Sequence, residues 1–149
     1  MEIRVVSYDH PDAVRMIDEV QQEYVVRYGG PDSTPVDPAQ FAPPLGLFLV
    51  GYLDGVPVAS GGWRAHGDGM VELKRMYVSP ARRGRGLARA MLAELELSAR
   101  RAGHGRVILE TGPAQPEALK LYRSSGYTDV PAFGHYKDAP LAVHLGKTL

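Results

Sequence analysis

Cysteine is absent from the 149 residues. A disulfide framework, a Cys-ligated zinc site and a catalytic thiol are therefore excluded. No run of about 18 apolar residues occurs, so no spanning helix is expected. The start, MEIRVVSYDH, lacks a basic segment followed by an apolar stretch, so no signal peptide is expected there. The expectation is a cytoplasmic protein. Net charge is also lacking: 17 Lys and Arg balance 17 Asp and Glu. A generic nucleic-acid binder carries a positive excess, so the total disfavours that class. The five histidines, 10, 66, 104, 135 and 144, show no metal-ligand spacing, and no metal site is expected. No Gly-x-Ser-x-Gly elbow supports a serine hydrolase.

What remains is ordinary globular composition, 44% hydrophobic and 23% charged. At this length one domain spanning 1–149 is expected. The zero net charge hides an uneven chain. Residues 1–69 hold ten acids and four bases; residues 70–106 hold three acids and nine bases. That basic block is Lys74, Arg75, Arg82, Arg83, Arg85, Arg89, Arg100, Arg101 and Arg106. Concentrated cations in a neutral chain point to a local anionic ligand, with a solvated helix face as the alternative.

Pattern gives the elements. Residues 2–8 predict a first strand. Pro11 and Asp12 open a helix with Val14, Ile17, Val20, Tyr24 and Tyr28 at helical spacing, stopped by Gly29-Gly30. Five prolines between 31 and 46 forbid a long element but allow a short helix near 37–41. Strands at 47–53 and 56–63 flank Asp54-Gly55, a hairpin signal. A third strand follows at 70–78. Gly61-Gly62 inside a strand predicts a bulge or a close backbone approach. A helix with Leu87, Met91, Leu95 and Ala99 at fourfold spacing ends at Gly103. A strand at 106–110, a helix from Pro116 to Gly126 and closing strands at 127–130 and 141–146 complete the chain.

The segment Val78-Ser-Pro-Ala-Arg-Arg-Gly-Arg-Gly-Leu-Ala88 carries the strongest chemistry. A strand ends, glycines follow, and a helix begins. Glycine lets backbone approach a ligand and adopt positive φ. Successive N–H groups in such a loop make an anion nest. The first N–H groups of the helix lack intrahelical partners and add about half a positive charge. A phosphate or pyrophosphate suits all three features. A dinucleotide fingerprint fails because Arg89 stands at its third glycine, and no Gly-Lys-Ser/Thr makes a P-loop. An RGG-like nucleic-acid segment is the third alternative, but such segments are usually disordered, and this one lies between a strand and an amphipathic helix.

Leu73-Lys-Arg-Met-Tyr-Val-Ser-Pro, followed by Arg83-Gly-Arg-Gly-Leu-Ala88, resembles the acetyl-CoA-binding segment of the GNAT N-acetyltransferase superfamily. The family pattern Gln/Arg-x-x-Gly-x-Gly/Ala maps onto Arg83, Gly86 and Ala88. Ala118-Leu-Lys-Leu-Tyr122 to Gly126-Tyr127 resembles its second signature helix. Gln115 departs from a commonly found Asn, yet keeps a donor and an acceptor.

The resemblance implies an α/β fold: a mostly antiparallel twisted sheet of about six to seven strands, flanked by about four helices. It implies that strands 70–78 and 106–110 splay to admit the cofactor. The cosubstrate it implies is acetyl-CoA, with pyrophosphate on the N–H groups of Arg83, Gly84, Arg85, Gly86, Leu87 and Ala88. Arg89 and Gln115 are cofactor contacts in that picture. The pantetheine arm would lie along the backbone of Met76, Tyr77 and Val78.

For the chemistry, an ammonium must lose its proton and a leaving thiolate gains from an acid. No protein nucleophile is needed, and direct attack in a ternary complex is expected. The resemblance makes Tyr122 the acid, with a core aromatic as the alternative. Glu72 is the base candidate, with a structural ion pair as its alternative; Glu110 is the second candidate, acting through water or holding the acceptor, with capping of the Thr111-Gly112 turn as its alternative. The acceptor is a primary amine, either a small molecule or a protein amino group. The acidic first half suits a cationic amine; Phe41, Leu45 and Trp63 suit an apolar one, although Trp63 reads rather as core or a strand-face anchor. His135 and Tyr136 fall in the loop that borders the acceptor cleft by the resemblance, with a packed or solvated loop as the preferred alternative to a substrate contact. No nucleic acid and no membrane partner are expected, and a homodimer is compatible with the apolar closing strands. The alternatives are a transferase for another acyl-CoA and a non-catalytic acyl-CoA-binding module.

Overall fold

The computed structural model describes all 149 residues. Seven strands form one sheet: β1 (Glu2–Val5), β2 (Gly46–Leu53), β3 (Val56–Ala65), β4 (Met70–Val78), β5 (Arg106–Thr111), β6 (Thr128–Asp129) and β7 (Val143–Thr148). Their order across the sheet is β1-β2-β3-β4-β5-β7-β6. Three α-helices accompany them, α1 (Pro11–Tyr28), α2 (Leu87–Arg101) and α3 (Pro116–Ser124). Instead of a fourth there are two 3-10 turns, Pro38–Phe41 and Pro80–Arg82. Proline removes backbone donors and fixes φ, so these Pro-dense stretches sustain only a single turn.

Every strand pair is antiparallel except β4–β5. Parallel neighbours need a long crossover, and α2 supplies it. β4 and β5 pair only at Met70–Arg106, Val71–Val107 and Glu72–Ile108. Beyond Glu72 the strands part, as the resemblance implied. Leu73, Lys74, Tyr77 and Val78 keep their β3 partners on one side, and the stretch from Leu73 to Val78 has no strand on the other.

The core lies between α2 and the sheet. Met91, Leu92, Leu95 and Ala99 of α2 pack on Leu49, Trp63, Val71 and Leu109. Fully burying one Leu or Met contributes about 1.5–3 kcal/mol, so this face is a principal source of stability. Helix α1 buries Ala13, Met16 and Val20, whereas Val14 is exposed. Its apolar stripe is thus rotated from the one read in the sequence. His10 caps α1 by accepting the Asp12 N–H at 3.0 Å.

Three boundaries move. β1 stops at Val5 because Ser7 and His10 close a turn. β7 begins at Val143 because Ala139 and Ala142 form another turn, and β6 is only two residues. The paired glycines do both things expected of them. The β3–β4 register slips between Ser60 and Gly62. A Cβ on Gly61 would meet Leu95 Cδ1 at 2.6 Å, and one on Gly62 would meet Phe48 Cδ2 at 2.6 Å.

Candidate active site

Two cavities open where β4 and β5 part. The larger has a volume near 580 Å³ and lies between β4, β5, α1 and the loop before β7. The smaller, near 280 Å³, lies over the β4–α2 loop. Met76, Gln115, Ala118 and Tyr122 line both. These four residues form the wall common to both cavities.

The smaller cavity is built on the glycine loop. Gly84 and Gly86 take φ 79 and 76, and nothing lies within 4 Å of a Cβ placed on either. These left-handed angles turn the loop into the helix, with Gly86 preceding α2. The first helical hydrogen bond runs from Ala90 N–H to Gly86 O, so the N–H groups from Gly84 to Arg89 have no backbone acceptor. Arg82, Arg83, Leu87, Ala88 and Arg89 also line this cavity, with Tyr77 and Val78 from β4; Arg85 does not. Open space over positive-φ glycines, unspent donors and a helix N-terminus fit a pyrophosphate.

Two arginines expected to face phosphate are also held by the protein. Arg83 donates from Nε to Val78 O at 2.9 Å and from Nη2 to Glu23 Oε1 at 2.6 Å. Arg89 donates to the hydroxyls of Ser124 and Ser125, tying α2 to the end of α3. Gln115 precedes α3, and its Oε1 accepts from the Tyr28 hydroxyl at 3.0 Å.

The larger cavity collects the titratable groups. Tyr122, on α3, is 6% exposed and packs its ring edge-on against Tyr127 at 5.6 Å. Burial, then the nearby Glu110 charge, pushes its phenol well above the ordinary range. Glu110 lines the cavity from β5. Burial raises its carboxyl to about 7; the Asp32 and Glu72 charges add to the rise and Lys74 opposes it. Its carboxyl makes no hydrogen bond or ion pair within the protein, so both oxygens are available to a ligand.

Glu72 is elsewhere. It lines neither cavity, and its Oε1 accepts from Arg64 Nε at 2.8 Å. Arg64 also donates to Pro35 O and Gln40 Oε1, which anchors the Pro-rich segment. The ion-pair alternative describes this residue. Phe41, Leu45 and Trp63 do not line the larger cavity either. Phe41 stacks on Tyr8 within the core, Leu45 is exposed, and Trp63 is buried with Nε1 donating to Ser98. Those three belong to packing and surface. Tyr136 does line the cavity; His135 packs edge-on against it and meets Ser33 Oγ at 3.0 Å.

Tyr24 and Tyr28 are cavity walls that no sequence pattern marks, because their spacing matches any buried helix face. The sequence also hid the joining of Asp32 to Lys74 and Arg75. Only the paired glycines opposite that stretch of β4 hinted at it.

Comparison with known proteins agrees with this geometry. Residues 14–127 match the Acetyltransferase (GNAT) family. An "IAA acetyltransferase" of Azospirillum brasilense is 34% identical, over 91% of this chain and 90% of that protein. An "N-acetylaspartate synthetase" of Rattus norvegicus is 33% identical over 79% of this chain, which spans 40% of that protein. The crystal structure of an acyl-CoA N-acyltransferase from Klebsiella pneumoniae superposes with a TM-score of 0.81 at 28% identity, covering 99% of this chain and 97% of that one. The chain belongs to the Acetyltransferase (GNAT) family. It is an N-acetyltransferase whose cosubstrate is acetyl-CoA.

Proposed function

We propose that the larger cavity binds a primary amine, that Glu110 takes its proton, and that Tyr122 protonates the departing sulfur. The observation that carries this reading is the shared boundary of the two cavities. Tyr122 stands on it, and Glu110 faces the amine side. The cosubstrate supplies an acetyl group activated as a thioester. The N–H groups from Gly84 to Ala88 hold its pyrophosphate, and the free edge of β4 from Met76 to Val78 receives the pantetheine arm.

Glu110 suits a base because its carboxyl titrates near 7, close to the pH at which it must work. An ammonium delivered to its unspent oxygens loses a proton there and becomes a nucleophile. Attack is direct, since no Cys exists and neither cavity contains an activated Ser. Tyr122 favours its protonated form strongly, which keeps the proton in place until a thiolate forms. Glu72 is assigned to the Arg64 ion pair, not to proton transfer.

The relatives' names point to dissimilar acceptors, so the amine is assigned here only by class. Thiol release from acetyl-CoA over an amine panel tests the reading. Turnover of at least one primary amine, lost in Tyr122→Phe and Glu110→Gln, is the expected result. Acetyl-CoA binding without thiol release for any amine would favour the non-catalytic module.

A further inference from the structure

Five charged residues line the larger cavity: Arg27, Asp32, Lys74, Arg75 and Glu110. Arg27 is spent on Ala114 O, Glu23 and Glu117. The other four decide what the cavity attracts. Consecutive side chains on a regular strand point to opposite faces. Lys74 and Arg75 do not, because Arg75 takes φ 62 at the point where the β3–β4 register slips. Such an angle costs a non-glycine residue about 1–3 kcal/mol and persists only where its surroundings enforce it.

The result is two cations on one carboxylate oxygen. Lys74 Nζ lies 2.7 Å and Arg75 Nη1 2.6 Å from Asp32 Oδ2. Their side chains are 6% and 4% exposed. Asp32 Oδ1 is occupied by the Thr34 N–H, the Thr34 hydroxyl and the Tyr136 hydroxyl. Asp32 therefore has nothing left to accept with. Arg75 uses Nε on Tyr8 and Nη1 on Asp32, leaving Nη2 without an acceptor. Lys74 adds only Thr34 Oγ1 at 3.3 Å, leaving one N–H. With Glu110 ionised, the two cations are balanced by two carboxylates, and an incoming ammonium leaves one positive charge in excess, while Arg75 Nη2 and one Lys74 N–H have no acceptor within the protein. Uncompensated buried charge is strongly unfavourable. Glu110 cannot offset it during turnover, since accepting the amine's proton neutralises it.

The cavity consequently has two poles. Glu110 offers free acceptors for an ammonium; Arg75 and Lys74 offer free donors for an anion. An amine without an anion satisfies one pole only. We infer that the acceptor is a small amine carrying its own carboxylate, of the amino acid class, and that Arg75 Nη2 and Lys74 Nζ bind that carboxylate. This rests on the transferase reading of the cavity. It reverses the expectation of a cationic amine drawn from the acidic first half, of which Asp32 is the sole acid in the cavity.

The test uses the full chain and acetyl-CoA. Thiol release is measured with the common α-amino acids, each beside its α-carboxamide and its decarboxylated amine. In parallel, calorimetry follows binding of the same compounds to the CoA-loaded protein. The expected result is a kcat/KM higher by about 10- to 100-fold for the best amino acid than for its amide, the worth of a charged hydrogen bond. Arg75→Gln should collapse that ratio toward one, Arg75→Lys should restore part of it, and acetyl-CoA titration reports whether each variant is folded. Because the acid–amide comparison needs no variant, misfolding of Arg75→Gln does not decide the matter. Equal or better turnover of the amides or decarboxylated amines overturns the carboxylate site and leaves the transferase. Tight binding of amino acids with no thiol release keeps the carboxylate site and overturns the proposed amine transfer in this cavity. Neither binding nor release for any compound overturns both.

Discussion

Glu110 and Tyr122 divide one problem between them. In the proposed mechanism half-buried Glu110 must accept a proton from the amine, while buried Tyr122 beside it must hold its own until the thiolate forms. Replacing Tyr122 by Phe keeps the ring packing on Tyr127 and removes only the hydroxyl. A fall in kcat of roughly 10²-fold, the usual worth of an acid, with unchanged acetyl-CoA affinity is expected. Unchanged kcat in a pre-steady-state burst experiment that isolates chemistry would remove the role. Glu110 works ionised, so kcat/KM should rise through about pH 7. Glu110→Gln should abolish that limb; a profile retaining it would assign the base elsewhere. Stability moves the other way. The folded protein holds the Glu110 proton up to about 7, whereas the unfolded chain releases it near its ordinary value of 4.5. Between those values the folded state binds more protons, so this residue's contribution to stability falls as pH rises. Glu110→Gln should therefore stabilise the protein above pH 7, on the order of 2 kcal/mol in urea unfolding, while inactivating it. Asp32 behaves oppositely. Although burial opposes it, Lys74 and the Thr34 hydrogen bonds hold its carboxyl far below the usual range. Its stabilisation is present above about 3.8, the ordinary value, and disappears only in strong acid. Asp32→Asn, which strands two buried cations, should cost about 3–5 kcal/mol in the same measurement.

At the scale of elements, the glycine loop and the opened β4–β5 pair make the site. Gly86 and Gly103 lie just outside the two ends of α2 with φ 76 and 92, and both face open space. Alanine at either should strain the backbone by a similar amount, about 1–2 kcal/mol. Only Gly86→Ala places a methyl group over the unspent N–H donors. It should weaken acetyl-CoA binding at least tenfold by calorimetry, while Gly103→Ala leaves affinity unchanged. Equal affinities would mean that the loop does not hold the pyrophosphate. These elements were legible because their chemistry is local. Positive-φ glycines, a helix start and a Pro-limited turn each follow from residues within one short segment. Glu110, Lys74 and Arg75 were harder to place. Glu72 and Glu110 are equivalent in the sequence, and only the divergence of β4 from β5 after Glu72 separates their surroundings. Asp32 meets Lys74 across 42 positions, through a bulge whose effect on Arg75 no periodicity encodes.

At the scale of the molecule, charge segregation acquires a location. Arg82, Arg83 and Arg89 from the basic block line the smaller cavity; Lys74 and Arg75 line the larger. The rest, including Arg100 and Arg101 at the far end of α2, lie outside both. The block is thus divided among the larger cavity, the smaller cavity and four residues, Arg85, Arg100, Arg101 and Arg106, that line neither. No helix is long and apolar enough to cross a membrane. A ligand that binds only the folded state adds about 2.7 kcal/mol at a hundredfold excess over its dissociation constant. Acetyl-CoA should therefore raise Tm in a concentration-dependent way, and a DNA oligomer should not.

The most direct measurement is a calorimetric titration with acetyl-CoA, repeated on Gly86→Ala and against a DNA oligomer. Saturable one-to-one binding of acetyl-CoA, weakened in Gly86→Ala, is the expected outcome. Absence of acetyl-CoA binding beside tight, salt-sensitive DNA binding would contradict the account.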